Sequence, residues 1–179
     1  MKAILFLMPL IILNACKPAQ NDVIIGKTNK MEQTINKLTG CPEDGTCSVE
    51  VYKNKKLTMI DDGTGALYPE LIEGDAVVVE YTYFKPGPEG TVDGNYSETI
   101  HFELPQGAAN LKKENAALSD VKLVYGKHCF CRGEAGYYSI NEGKLLVDKT
   151  EEGIAFDLTF NVGKTSQVVT RISEMVKLK

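Results

Sequence analysis

The chain has no tryptophan and only two histidines, His101 and His128. The first absence takes the largest ring out of any aromatic platform for a sugar or a peptide. It leaves Tyr81 with Tyr83, and Tyr137 with Tyr138, to be read as strand packing partners. The scarcity of histidine removes the H-E-x-x-H pattern that would place two zinc ligands on one helix face. No Gly-x-Ser-x-Gly elbow and no phosphate-cradling glycine loop occur. Asp61-Asp62-Gly63-Thr64-Gly65 and Asp93-Gly94-Asn95 lack the spacing of a calcium loop and read as turn chemistry. Basic residues are outnumbered, 20 against 24, for a formal charge of −4. That balance argues against nucleic acid as a partner and leaves no polybasic patch. Repeats and low-complexity tracts are missing too. No apolar run reaches membrane-spanning length.

The one pronounced apolar run is the first. Met1-Lys2 precedes Ala3 to Leu13, eleven mostly apolar residues ending at Asn14-Ala15-Cys16. As a helix this run is about 16 Å long at roughly 1.5 Å per residue, too short to span a core of about 30 Å. Pro9 further weakens a continuous helix. A basic residue, a short apolar core and a small residue before a cleavage point make a signal peptide. Leu13-Asn14-Ala15-Cys16 resembles the lipobox of bacterial lipoproteins. The resemblance covers residues 1–16 only. It implies removal of residues 1–15 and a diacylglycerol thioether on Cys16. It also implies an anchor in the cell envelope, with the protein at the outer membrane facing the periplasm. Two or three acyl chains hold a protein stably where one does not. Loss of Lys2 with the leader takes the formal charge from −4 to −5.

Residues 16–27 read as lipidated cysteine and tether, and 28–179 as one domain of ordinary size. Met31, Ile35 and Leu38 fall at i, i+4 and i+7, so Asn29 to Leu38 is expected to form a short helix. Period-two patterns follow. Val77, Val79, Tyr81 and Tyr83 share a face, as do Ile100, Phe102 and Leu104, with His101 on the polar side. Ile154 to Val162 alternates throughout, with Val168 to Leu178 as its hairpin partner. Tyr137 to Ile140 and Lys144 to Val147 read as a hairpin across Asn141-Glu142-Gly143. Gly107 to Ser119 reads as helix or loop, and Lys85 to Asn95 as a long exposed loop rich in proline and glycine. The expected fold is mainly β: an antiparallel β-sandwich or open barrel of about nine strands with a short N-terminal helix.

Cys41, Cys47, Cys129 and Cys131 remain after Cys16. An even count in an exported chain predicts two disulfides. On an extended strand Cys129 and Cys131 stand about 6.6 Å apart, which disfavours bridging them. The expectation is two cross-links between the Cys41–Cys47 turn and the Cys129–Cys131 strand. Each would close about 80 to 90 residues, for at most about 4 to 5 kcal/mol. Cys-x-Cys beside His128 also fits a soft-metal site completed by Cys41 and Cys47, or a redox pair. Gly126 to Tyr138 is the densest stretch of unusual residues and the first place to look for a site. The sequence assigns no catalytic residue, metal or cofactor. Its leading reading is a non-enzymatic, lipid-anchored domain that binds an unknown protein or small molecule or supports envelope assembly. The alternatives are thiolate metal handling through Cys129 and Cys131, or a hydrolase whose site forms only in three dimensions.

Overall fold

The computed structural model describes residues 38–177. The leader, Cys16, the tether and, save for Leu38, the expected N-terminal helix lie outside the described residues. Nine strands are formed: β1 (Thr46–Asp61), β2 (Leu67–Lys85), β3 (Tyr96–Leu104), β4 (Asn110–Glu114), β5 (Val124–His128), β6 (Gly136–Ser139), β7 (Gly143–Lys149), β8 (Gly153–Phe160) and β9 (Arg171–Lys177). They make two antiparallel sheets, a five-stranded one in the order β1-β2-β3-β5-β6 and a four-stranded one in the order β4-β7-β8-β9. The sheets are not closed into a barrel.

Alternation explains how they meet. In β8, Ile154, Phe156, Leu158 and Phe160 all point inward and are buried. From the first sheet Val79, Tyr81, Ile100, Phe102 and Tyr125 join the same core. Aromatic edges lock the two layers: Phe102 meets Phe156 at 5.3 Å and Tyr125 meets Phe160 at 6.2 Å between ring centroids. Such pairs add to the burial of their own large areas. The expected β8–β9 hairpin is present, although β8 ends at Phe160, β9 begins only at Arg171 and residues 161–170 form a loop.

Three expectations are corrected. Tyr137–Ile140 and Lys144–Val147 are not a hairpin. β6 pairs with β5, whereas β7 pairs with β4 and β8. The chain changes sheets between them: the Ile140 amide donates to the Leu123 carbonyl just before β5, and the Glu142 carbonyl accepts from the Asn161 amide just after β8. Gly107–Ser119 is neither one helix nor a loop but β4 followed by a 3-10 helix, Asn115–Val121. β1 and β2 run far beyond their alternating cores. They form a long arm past a bulge between Lys53 and Lys55, where Asn54 takes φ of 57°. A bulge bends and twists the strand that carries it.

Beyond the main core, Leu57 of this arm is buried, as are Ala76, Val78 and Val124. Val78 and Val124 occupy the face of the first sheet opposite the main core, in register rows beside His101. His101 is only 7% exposed. The expected surface histidine is therefore a buried one, because that face is not left to solvent. The Lys85–Asn95 loop is exposed as expected.

Candidate functional site

A cavity of about 1020 Å³ borders β1 and all four strands of the second sheet. Its apolar wall comes from the inward positions Val49, Val51, Leu111, Val147 and Phe156. Each is placed there by strand parity, since every second side chain faces the core. The space is open to solvent, and alternate positions of the same strands, such as Met175 and Asp157, border it as well. Its size is at the upper end of small-molecule pockets, which run from about 300 to 1,000 Å³.

One carboxyl stands among these inward groups, while Lys112, Asp148, Asp157 and Lys177 border the space from the opposite parity. Glu174 shares the parity of Ile172 and Val176 on β9 and so points inward. Its Oε1 is buried with no hydrogen-bond partner among the described residues. Burial raises its pKa above the ordinary carboxyl value, against the opposing pull of the Thr39 backbone amide. A buried oxygen without a donor is costly unless something supplies one.

The Gly126–Tyr138 stretch divides between the two faces of the first sheet. Lys127 points inward and is 2% exposed. Its ammonium bonds the Glu134 carboxylate, the Ser166 hydroxyl at 2.7 Å and the Ser166 carbonyl at 3.0 Å. It also lies 5.7 Å from the centroid of the Tyr96 ring. Lys127 holds the Glu134 carboxyl down to about 2. Glu98, its register partner on β3, is fully buried and grips the same loop further on. It accepts from the Val168 and Val169 amides at 2.6 and 2.8 Å and from the Tyr96 hydroxyl. Together Glu98 and Lys127 fasten the β8–β9 loop to the opposite sheet.

On the outer face, both histidines of the chain belong to one polar band. His101 Nε2 is 3.5 Å from Glu80, and Tyr52 donates to both Glu50 and Glu80, at 2.6 and 3.2 Å. His101, with Tyr52 and Thr82 beside it, lowers the Glu80 pKa. His128 Nε2 lies 3.2 Å from the Thr99 hydroxyl and its ring meets Tyr137 edge-on at 5.2 Å. Burial, and then the charge of His101, lowers the His128 pKa, so it is neutral at pH 7. Gly126 makes this packing possible. A Cβ there would stand 2.5 Å from both the Tyr137 ring and the Thr99 hydroxyl. Among the described residues, no group of three or more His, Cys, Asp or Glu is placed to hold a metal ion.

The cysteines pair, but not across the sheet. Cys41 joins Cys47 with Cα atoms 5.8 Å apart, and Cys129 joins Cys131 at 5.2 Å. The expected cross-links fail for a geometric reason. β5 ends at His128, so residues 129–131 bend instead of extending, and the two Cα atoms come within bridging range. Cys47 at the start of β1 is separated from the end of β5 by β2 and β3. The four sulfurs therefore do not converge on one site.

Ser119 and Lys122 do stand in a Ser-x-x-Lys spacing, a pattern the chain was expected to lack. The fold turns them apart. Ser119 donates to the Ala116 carbonyl, and Lys122 to Glu103 and the Leu57 carbonyl. Neither Glu174 nor the Glu98–Lys127 pair was singled out from sequence, yet a signal existed. Each is a charge on the apolar parity of its strand. No protein-family model, curated protein or solved structure matches this chain.

Proposed function

We propose that this protein is a lipid-anchored, extracytoplasmic binding domain, not an enzyme, whose ligand is a small amphiphile held in the cavity between β1 and the second sheet. The observation that carries the reading is the Glu174 carboxyl on the apolar parity of the wall, whose buried Oε1 has no partner among the described residues. A pocket with an apolar wall and a few convergent polar groups is the usual form of a small-molecule site, and here Glu174 is the carboxyl on the apolar, inward parity. The carboxyl favours a head that donates a hydrogen bond or carries positive charge, and disfavours a second carboxylate. The anchor follows from the lipobox resemblance of Leu13 to Cys16 and sets the compartment. Envelope assembly through a protein partner is a weaker reading, because no observation beyond the anchor favours it.

The test uses N-phenyl-1-naphthylamine, which fluoresces in apolar surroundings. The protein should enhance its emission saturably. Dodecylamine should displace it best, dodecanol less well and dodecanoate least. Glu174→Gln should flatten that order, and Val147→Trp, which fills the cavity, should abolish the enhancement. Absence of saturable enhancement in a folded protein, or equal displacement by all three, would overturn the proposal.

A further inference from the structure

Two apolar side chains stand almost wholly in solvent. Val92 and Phe130 are each 91% exposed, far above any other large apolar residue of the described chain. They lie on different loops, Val92 between β2 and β3 and Phe130 between β5 and β6. Both loops leave the same end of the first sheet, where Lys85 pairs with Tyr96 and Ser97 with His128. The two tips border one shallow depression with Asp93, Asn95 and His128. Phe84, 39% exposed, is the last residue but one of β2 at this end.

The Phe130 tip is built. Phe130 is the middle residue of a three-residue loop closed by Cys129–Cys131. A bridge that short does little to cross-link the fold. What it does is local: it fixes the backbone on both sides of one exposed aromatic ring. Ordering a loop before contact removes part of the entropy that contact would otherwise cost.

The segment just before β1 reaches the same end. Cys41 is bonded to Cys47, and Asp44 bonds Tyr83 and Lys85 at the β2 terminus. Residues 41–47 thus lie at the same end of the first sheet as the two tips. A stable protein interface buries about 800 Å² on each partner around an apolar centre. Two narrow projections flanked by glycine, proline and acidic residues do not supply one. They do suit insertion into the boundary layer of a bilayer, where isolated aromatic and aliphatic side chains settle.

We infer that Phe130 and Val92 dip into the bilayer that holds the lipid on Cys16, and so orient the domain on its anchor. The inference rests on the lipid-anchor reading. The chain has no tryptophan, so Phe130→Trp, Val92→Trp and Leu67→Trp each give a single reporter, the last at the far end of β2. Full-length protein is extracted from membranes and reconstituted into phosphatidylethanolamine–phosphatidylglycerol vesicles with and without brominated acyl chains. The reporters at 130 and 92 should shift to the blue and lose most of their emission to bromolipid, while that at 67 keeps its own. Quenching of none, or of all three alike, overturns the inference, as does a blue shift at 130 without bromolipid quenching, which would mean a protein partner. The mass of the Cys16 peptide from the same preparation tests the anchor separately. If Cys16 is unmodified, flotation with vesicles that is lost in Phe130→Asp still supports the tips, and failure to float overturns them.

Discussion

Glu174 occupies a position where its strand neighbours of the same parity, Ile172 and Val176, are apolar. Glu98 does so among Ile100, Phe102 and Leu104, and Lys127 beside Tyr125. Glu98 and Lys127 are satisfied by the loop they hold, whereas Glu174 keeps a bare oxygen. The first two are explained by stability, and the third asks for a ligand. Because burial raises the Glu174 pKa, the folded state holds that proton more tightly than the unfolded state. Its ionisation therefore works against folding as pH rises above the ordinary carboxyl range. Glu174→Gln should raise the stability at pH 7 by less than about 1 kcal/mol, since the group is partly wet. The gain should fade as pH falls towards the ordinary carboxyl pKa. Urea unfolding at pH 7 and pH 4.5 checks the sign. The same variant should lose its preference for amine-headed ligands, a stability gain bought with function.

At the scale of elements, legibility tracked how cleanly a strand alternates. β8, β3 and the second half of β2 have one apolar and one polar parity and were read with the correct inner face. The outer half of the β1–β2 arm was missed because Lys53, Lys55, Lys56, Glu70, Glu73 and Asp75 mask its period. There the ladder is held by backbone pairing and cross-strand ions such as Lys56–Asp75 at 2.8 Å. His101 was misread because parity reports the face of a strand and not what lies over it. Leu57→Ala tests the small second core formed with the arm. It should cost about 2 to 5 kcal/mol in urea unfolding, as for other buried leucines. The cysteine connectivity depended on where β5 stops, which spacing alone does not fix. Tryptic digestion without reduction should release peptides 38–53 and 128–132 separately, each about 2 Da lighter than its reduced form. A single species joining the two would refute local pairing. The short loops also lower the energetic stake, to about 2 kcal/mol or less per bridge.

The molecule as a whole is two sheets whose relation depends on more than apolar contact. Phe102 against Phe156 and Tyr125 against Phe160 bring the layers together without direction. Glu98 and Lys127 add direction, since each bonds only where residues 165–169 present amides, hydroxyls and a carbonyl in the right place. The loop so held carries the chain from β8 into β9, and β9 brings Glu174 to the cavity. Loosening the clasp should therefore reach the binding site as well as the fold. Lys127→Met leaves Glu134 without its ammonium and the Ser166 carbonyl without its donor. The Glu134 carboxylate left behind is half exposed, so no charge is left buried, and the cost lies in the lost bonds to Ser166, about 1 to 3 kcal/mol. The depressed Glu134 pKa gives the loss a pH signature. In the native protein the contribution of that carboxylate is present above about 4.5 and disappears as pH falls through about 2. The native protein should thus lose stability over that acid interval faster than Lys127→Met does. If the clasp positions β9, hydrogen exchange in Lys127→Met should rise first in the Arg171–Lys177 amides, and N-phenyl-1-naphthylamine binding should weaken with it. Uniform acceleration across both sheets, with binding unchanged, would mean that Lys127 serves stability alone.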